Sequence, residues 1–495
     1  MQAEQLILPF PQPVGGGEPR AIPKARRVFV NRNLRLAGVD WIGFDMDYTL
    51  AIYDQPEMDE LSIQATVQKL VARGYPEWLA EVPYDTEFPI RGLLIDKRLG
   101  HILKMDRYKV VHRGHHGFAP LPRETIRALY QHKKMRPQSP RFHFIDTLYA
   151  LSEAALYAGI ISAFETRDLE LDFTKLFVDI RESIDEAHRD GTILDTVLAA
   201  LPRFVQRDPD LAATLHKFRS AGKKLFLLTN SRWPYTDKMM TYLLGDAMQE
   251  YPTWRHYFDI AIVAAQKPAF FQERHPMLER AGDELVPITT PHLERGKVYE
   301  GGNLHELEAR LGVTGDRVLY VGDHIYGDIL RSKKESAWRT AMIIQEMEAE
   351  VSAHGVCEDD LRLLDLLGDA RGKLEDELRY VQARWKDLGR RIDAASENPD
   401  KRALEADRVR VKRGVDRVRG LLRETERQTI LLEASIDQRF HRYWGPLLKE
   451  ANENSSFGDQ VEEYACVYTS RVSNLLAYSP LQYFRSPRDL LPHEL

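Results

Sequence analysis

The chain has 495 residues, a formal net charge of −6 and two cysteines, Cys357 and Cys466. That length suits about two or three domains at 100–200 residues each, and the acidic balance excludes a basic field of the kind that binds nucleic acid. Two cysteines build no disulfide framework, which fits a reducing cytoplasm; no apolar run approaches the ~18 residues of a membrane span, and no signal core opens the chain.

Residues 1–25 are expected to form a flexible arm, with Pro9, Pro11 and Pro13 followed by Gly15, Gly16 and Gly17. No Gly-Lys-Ser/Thr follows those glycines, so they are not a phosphate loop. The run Val39 to Phe44 reads as a buried strand that delivers Asp45-Met46-Asp47. Side chains alternate along extended chain, so carboxylates at i and i+2 point to one side. Leu61, Ile63, Val67, Leu70 and Val71 then predict a helix, and Tyr84 to Val111 mixes strand-like runs with turns. His112, His115 and His116 read as a loop, because no cysteine or acidic residue accompanies them at metal-ligand spacing. Helices are predicted over Leu148 to Ala163 and Phe177 to Ala199. The interval 61–204 is far longer than a βα connection, which makes it an inserted cap domain.

Three further apolar runs end in polar residues. Leu225 to Leu228 delivers Thr229-Asn230-Ser231, Phe258 to Val263 leads to Lys267-Pro268, and Val318 to Val321 runs into Asp323 and then Asp328. The expected core is discontinuous, 26–60 and 205–360, in the α/β class. It is a doubly wound parallel sheet, whose ligands bind beyond the carboxyl ends of the strands. Within 361–495, Leu374, Leu378, Val381, Trp385, Leu388 and Ile392 follow heptad spacing. The turn cluster Ser396 to Asp400 separates them from Leu404, Val411, Val415, Val418 and Leu422. This predicts an antiparallel helical hairpin that packs on itself, on the core or on a second subunit. A homo-oligomer, dimer or tetramer, is expected.

A carboxylate pair, a hydroxyl, a lysine and a second carboxylate pair at strand ends suit phosphoryl transfer. A phosphomonoester carries two negative charges, which a hard divalent ion such as Mg²⁺ and a lysine neutralise. Asp45 is then the candidate nucleophile, forming an aspartyl-phosphate. Asp47 is the candidate general acid and base, and Thr229 and Lys267 hold the phosphate. Two other classes stay open: a phosphatase of a different monoester, and a non-catalytic assembly protein built on the hairpin.

Longer stretches carry a resemblance. Arg27 to Arg32, Gly43 to Ala51, Phe88 to Leu93, Thr236 to Leu243, Lys267-Pro268 with Phe270-Phe271, Tyr299 with Gly301-Gly302, and Val321 to Lys334 resemble the haloacid dehalogenase-like phosphatases. More narrowly, they resemble the cytosolic purine 5′-nucleotidases. The resemblance implies a Mg²⁺-dependent enzyme acting on purine nucleoside monophosphates of the IMP and GMP type, able also to pass the phosphoryl group to a nucleoside. It implies Asp45 as nucleophile and metal ligand, Asp47 as acid/base and, through its carbonyl, metal ligand, and Asp323 as the metal carboxylate; Asp328 is a further candidate ligand, reaching the metal directly or through water, or orienting Asp323. Thr229, Asn230, Ser231 and Lys267 match the phosphate site. Arg181, Asp185 and His188 match a helix that reads base and sugar, and Tyr149 a ring that stacks on the purine. Spacing puts Arg181, Asp185 and His188 on one helical face; without the resemblance that face reads equally as a solvated stripe. The family's lysine after this helix has no counterpart near Leu194-Asp195. Tyr326, Gln460 and Tyr464 match an effector site of the animal enzymes, but Glu463 stands where an arginine would face the effector phosphate.

Overall fold

Parallel strands are covered on both faces, so their sequences are continuous apolar runs rather than alternating ones. The computed structural model, which describes residues 21–131, 135–330, 336–395, 399–488, 491 and 494, builds its main sheet from such runs. Its strands are β1 (Phe29–Val30), β2 (Trp41–Phe44), β3 (Lys224–Leu228), β4 (Ile260–Val263), β5 (Met277–Ala281), β6 (Glu284–Pro287), β7 (Val298–Gly301), β8 (Val318–Gly322), β9 (Arg339–Ile343) and β10 (Val467–Thr469). The ten-stranded order is β1-β10-β9-β8-β2-β3-β4-β7-β5-β6. From β10 through β7 every neighbouring pair is parallel. β2 lies between β8 and β3, so Asp45 emerges at the middle of the sheet. Gly43 is required there, since a Cβ would come within 2.2 Å of the Phe226 ring.

Between β2 and β3 lies a second, five-stranded antiparallel sheet. Its order is Ala119–Pro120, Val111–His116, His101–Met105, Leu94–Asp96, Phe142–Phe144. Helices α1 (Gln55–Ala72), α2 (Leu151–Thr166) and α3 (Phe173–Arg189) accompany it. α1 starts six residues ahead of the apolar pattern because the Asp54 side chain accepts from the Glu57 amide, capping the first turn. The helix predicted over 177–199 is broken: Gly191, at φ 88°, ends one segment and Thr192–Ala199 begins another. The three histidines fall on a strand rather than a loop, and they part company. His112 meets Asp106 at 3.0 Å, His115 packs on the Trp444 ring and His116 meets Glu165 at 2.7 Å.

Helices α4 (Glu358–Ala394) and α5 (Pro399–Phe440) pack along each other as the expected hairpin. Residues 396–398 of the turn cluster lie outside the described residues, as do residues 1–20 of the expected arm. Among the described residues no helix is long and apolar enough to cross a membrane. The chain after α5 differs from the helical expectation. It returns to the core, where β10 pairs with β9 and β1. A strand of three residues is legible only through the neighbours that complete it.

A buried lysine ties this return to the inserted sheet. Lys104 donates to the carbonyls of Trp444, Pro446 and Lys449 at 2.7, 2.6 and 2.8 Å, and its Nζ lies 2.9 Å from Glu450 Oε2. Both side chains are almost fully buried. Removing one member of such a pair strands the other in a medium that solvates charge poorly. Lys104→Met is therefore expected to lower stability by on the order of 3 kcal/mol, read from the midpoint of chemical denaturation, whereas a change under about 0.5 kcal/mol would class it with ordinary surface substitutions.

Candidate active site

Four loops leave the carboxyl ends of β2, β3, β4 and β8 and converge. Asp45 follows β2, and its Oδ1 lies 2.9 Å from Lys267 Nζ, which β4 and its loop supply. Lys267 also reaches Asp328 Oδ1 at 2.6 Å and the Tyr320 hydroxyl at 3.0 Å. Asn230, after β3, spends its amide on the Lys267 backbone. Its Oδ1 accepts from Lys267 N at 2.6 Å and its Nδ2 donates to Lys267 O at 2.9 Å. Asn230 thus shapes the lysine loop. Thr229 is buried and accepts from the Ser231 amide at 3.1 Å.

Asp47 has its own setting. The Tyr53 hydroxyl donates to one carboxylate oxygen at 2.6 Å and the Ser231 hydroxyl to the other at 2.7 Å. Tyr53 in turn lies 2.8 Å from the Tyr235 hydroxyl. Neither tyrosine stood out in the sequence. Tyr53 alone carried a signal, being six residues beyond Asp47 in the same strand–turn–strand segment.

Asp45, Asp323 and Asp328 bring one oxygen each within 4.8 Å of one another. Gly322 makes room for this: a Cβ there would stand 2.6 Å from Asp328. Burial, opposed by Lys267 and reinforced by Asp328 and Asp47, pushes the Asp45 carboxyl up to about 8. Burial, with Asp328 and Asp45, holds Asp323 well above the carboxylate range. Burial also raises Asp47 against its two hydroxyl donors. For Lys267, Asp328 and Asp45 outweigh the cost of burial and hold its pKa high. The side-chain oxygens outnumber the cation, and among the described residues Asp323 Oδ2 is buried without a hydrogen-bond partner. Hard oxygen donors with one orphaned carboxylate oxygen fit a Mg²⁺ ion.

The inserted domain reaches this centre through rings. Tyr48 packs on Tyr53 and edge-on against Tyr149, at centroid distances of 4.8 and 4.7 Å. Tyr149 meets His188 of α3 at 5.9 Å. Arg181, one face along, is held by Glu153 of α2, whose two oxygens accept from Nη1 at 3.1 Å. Burial pushes Glu153 up to about 7 despite that arginine. Asp185 shares the helical flank and is exposed. The structure therefore brings Tyr149 and His188 toward Asp47, anchors Arg181 on a residue the sequence reading missed, and leaves Asp185 at the rim. The Tyr326 side chain lies outside the described residues.

The contact at Gly322 yields a test. Gly322→Ala should drive Asp328 from its place, and the rise in melting temperature on adding Mg²⁺ to the wild-type chain should shrink or vanish. An unchanged Mg²⁺ shift would mean that this close approach does not place the acid.

Comparison with known proteins follows the same lines. The chain is 29% identical over 476 residues to a Dictyostelium discoideum 5′-nucleotidase domain-containing protein, DDB_G0275467, covering 94% of this chain and 74% of that one. It is 32% identical over 338 residues to human 5′-nucleotidase domain-containing protein 2, covering 66% of this chain and 64% of that protein's length, under two thirds. A solved structure described as a predicted phosphoglycolate phosphatase from Haemophilus somnus is similar over 62% of this chain and 85% of its own, at 13% identity and a TM-score of 0.28. The parallel strand order is of the α/β class expected from the sequence. The model of the 5′ nucleotidase family matches residues 28–495, and the chain belongs to that family.

Proposed function

We propose that the chain is a Mg²⁺-dependent 5′-nucleotidase of purine nucleoside monophosphates. As a member of the 5′ nucleotidase family it is a phosphoric monoester hydrolase. One observation carries the finer reading: a carboxylate–lysine centre on the core is continuous, through Tyr48, Tyr149 and His188, with a helix of the inserted domain.

In this reading an ionised Asp45 oxygen attacks phosphorus and the bond to the ester oxygen breaks. Lys267, 2.9 Å from Asp45 Oδ1, draws the phosphate in, with the Thr229 hydroxyl beside it. Asp47 gives the leaving oxygen its proton, held to its task by Tyr53 and Ser231. The nucleoside departs, Asp47 takes a proton from water, and that water attacks phosphorus to free Asp45 and release phosphate. A nucleoside hydroxyl in place of water gives phosphotransfer. Asp45, Asp323, Asp328 and the Asp47 carbonyl would hold Mg²⁺, which supplies the positive charge that keeps the carboxylates ionised and neutralises phosphate oxygens.

Recognition of the base falls to Tyr149, His188 and Arg181, with Asp185 at the rim facing sugar. Glu153 holds Arg181 through Nη1, and among the described residues Nη2 and Nε remain to donate to a 6-oxopurine. Leaving such a donor unpaired against the amino group of adenine costs about 1–3 kcal/mol, on the order of ten- to a hundredfold in kcat/KM. The cytoplasm as location and a homo-oligomeric state belong to the same reading.

Asp45→Asn is expected to abolish phosphate release with an unchanged melting temperature, since the amide cannot attack phosphorus; substantial residual turnover would sink the assignment. Asp47→Asn should slow turnover by on the order of 10²–10⁴. A panel of IMP, GMP, AMP, UMP and an aryl phosphate at fixed Mg²⁺ decides the substrate. Purine selectivity should flatten in Arg181→Ala while aryl phosphate turnover persists. Equal kcat/KM across the wild-type panel would leave a general phosphatase.

A further inference from the structure

Arg91 is a buried charged group that the chemistry above does not use. It lies in the segment Phe88 to Leu93, which leads into the inserted sheet at Leu94, yet its guanidinium points into the core. The side chain is fully enclosed. Nη1 donates to the Asp323 carbonyl at 3.0 Å, while Nε and Nη2 grip the two oxygens of Glu346 at 2.7 and 2.6 Å. Its plane lies 4.9 Å from the centre of the Phe457 ring. The next residue, Gly92, sits at φ 91°, and a Cβ there would stand 2.6 Å from Phe457 Cβ.

The neighbours of this arginine belong to the centre. Asp323 has an orphaned buried carboxylate oxygen, and its peptide is the one Arg91 fixes. Glu346 follows Gln345, whose Nε2 donates to the Tyr48 carbonyl at 3.0 Å, inside the loop that carries Asp45 and Asp47. The dipeptide Gln345-Glu346 therefore bridges the nucleophile loop and, by way of Arg91, the loop of Asp323. Arginine suits the post because its planar fork makes three directed bonds at once, which an ammonium cannot.

We propose that Arg91 is a positioning residue. It sets the orientation of the Asp323 carboxylate toward the metal by fixing that residue's peptide, and it makes the seat of the inserted domain part of the same brace. The inference rests on the reading of Asp323 as a metal ligand. Partners that orient a ligand from behind are typically worth about 10–100-fold in metal affinity.

The test uses the full-length chain with Arg91→Lys and Glu346→Gln, compared with wild type. The readout is the Mg²⁺ concentration giving half of the maximal rise in melting temperature, followed by kcat and KM for an aryl phosphate at saturating Mg²⁺. Arg91→Lys should raise that concentration by about 10–100-fold, with Glu346→Gln between it and wild type. At saturating Mg²⁺ kcat should fall while KM stays near its original value. A brace that serves stability alone would lower the melting temperature without moving the Mg²⁺ midpoint. Unchanged midpoints in both variants overturn the proposal and leave the metal assignment standing. A wild-type chain with no Mg²⁺-dependent shift removes both. Should Arg91→Lys fail to fold, Glu346→Gln decides, since Glu346 is partly exposed and keeps its shape as glutamine.

Discussion

Asp45, Asp323 and Asp328 are buried around Lys267, which pairs with Asp45 and Asp328, and the half-buried Asp47 stands beside them. Buried like charges repel strongly and cannot be solvated, so such a cluster persists only where the surrounding chain holds it. Much of the nearby structure does that holding. Asn230 clamps the Lys267 backbone, Gly322 makes way for Asp328, and Tyr53 with Ser231 occupies both oxygens of Asp47. Burial raises Asp45 and Asp323 under the same constraint, and Lys267 offsets only part of it. In the proposed function a divalent cation would supply further positive charge there.

The parallel sheet makes this concentration possible. Its middle strands end side by side, so residues far apart in the chain arrive within a few ångströms without long loops. The inserted domain adds what the sheet lacks, a wall of rings and a helix that covers the centre. In the proposed function chemistry and recognition therefore fall to different layers, joined at Tyr48 and Tyr149. The C-terminal segment closes the arrangement, since it supplies β10 to the main sheet and the carbonyls that Lys104 gathers from the inserted sheet. This mutual locking explains why a family match spans nearly the whole chain rather than the core alone.

What the sequence determined by itself is the local part. Strands β2, β3, β4 and β8 were legible because burial on both faces demands unbroken apolar runs. The acids, hydroxyl and lysine beyond their ends were legible because they come within a few residues of those runs. The hairpin was legible because a helical seam repeats every three or four residues. Only the tertiary structure decided the rest. Tyr53 on Asp47, Glu153 behind Arg181, Arg91 on the peptide of Asp323 and Lys104 among the carbonyls after α5 join residues whose own surroundings in sequence are ordinary. The bonds of the Asn230 side chain to the Lys267 backbone were decided in the same way. A side chain's type sets which bonds it can make, whereas its partner is set by which distant segment the fold lays against it.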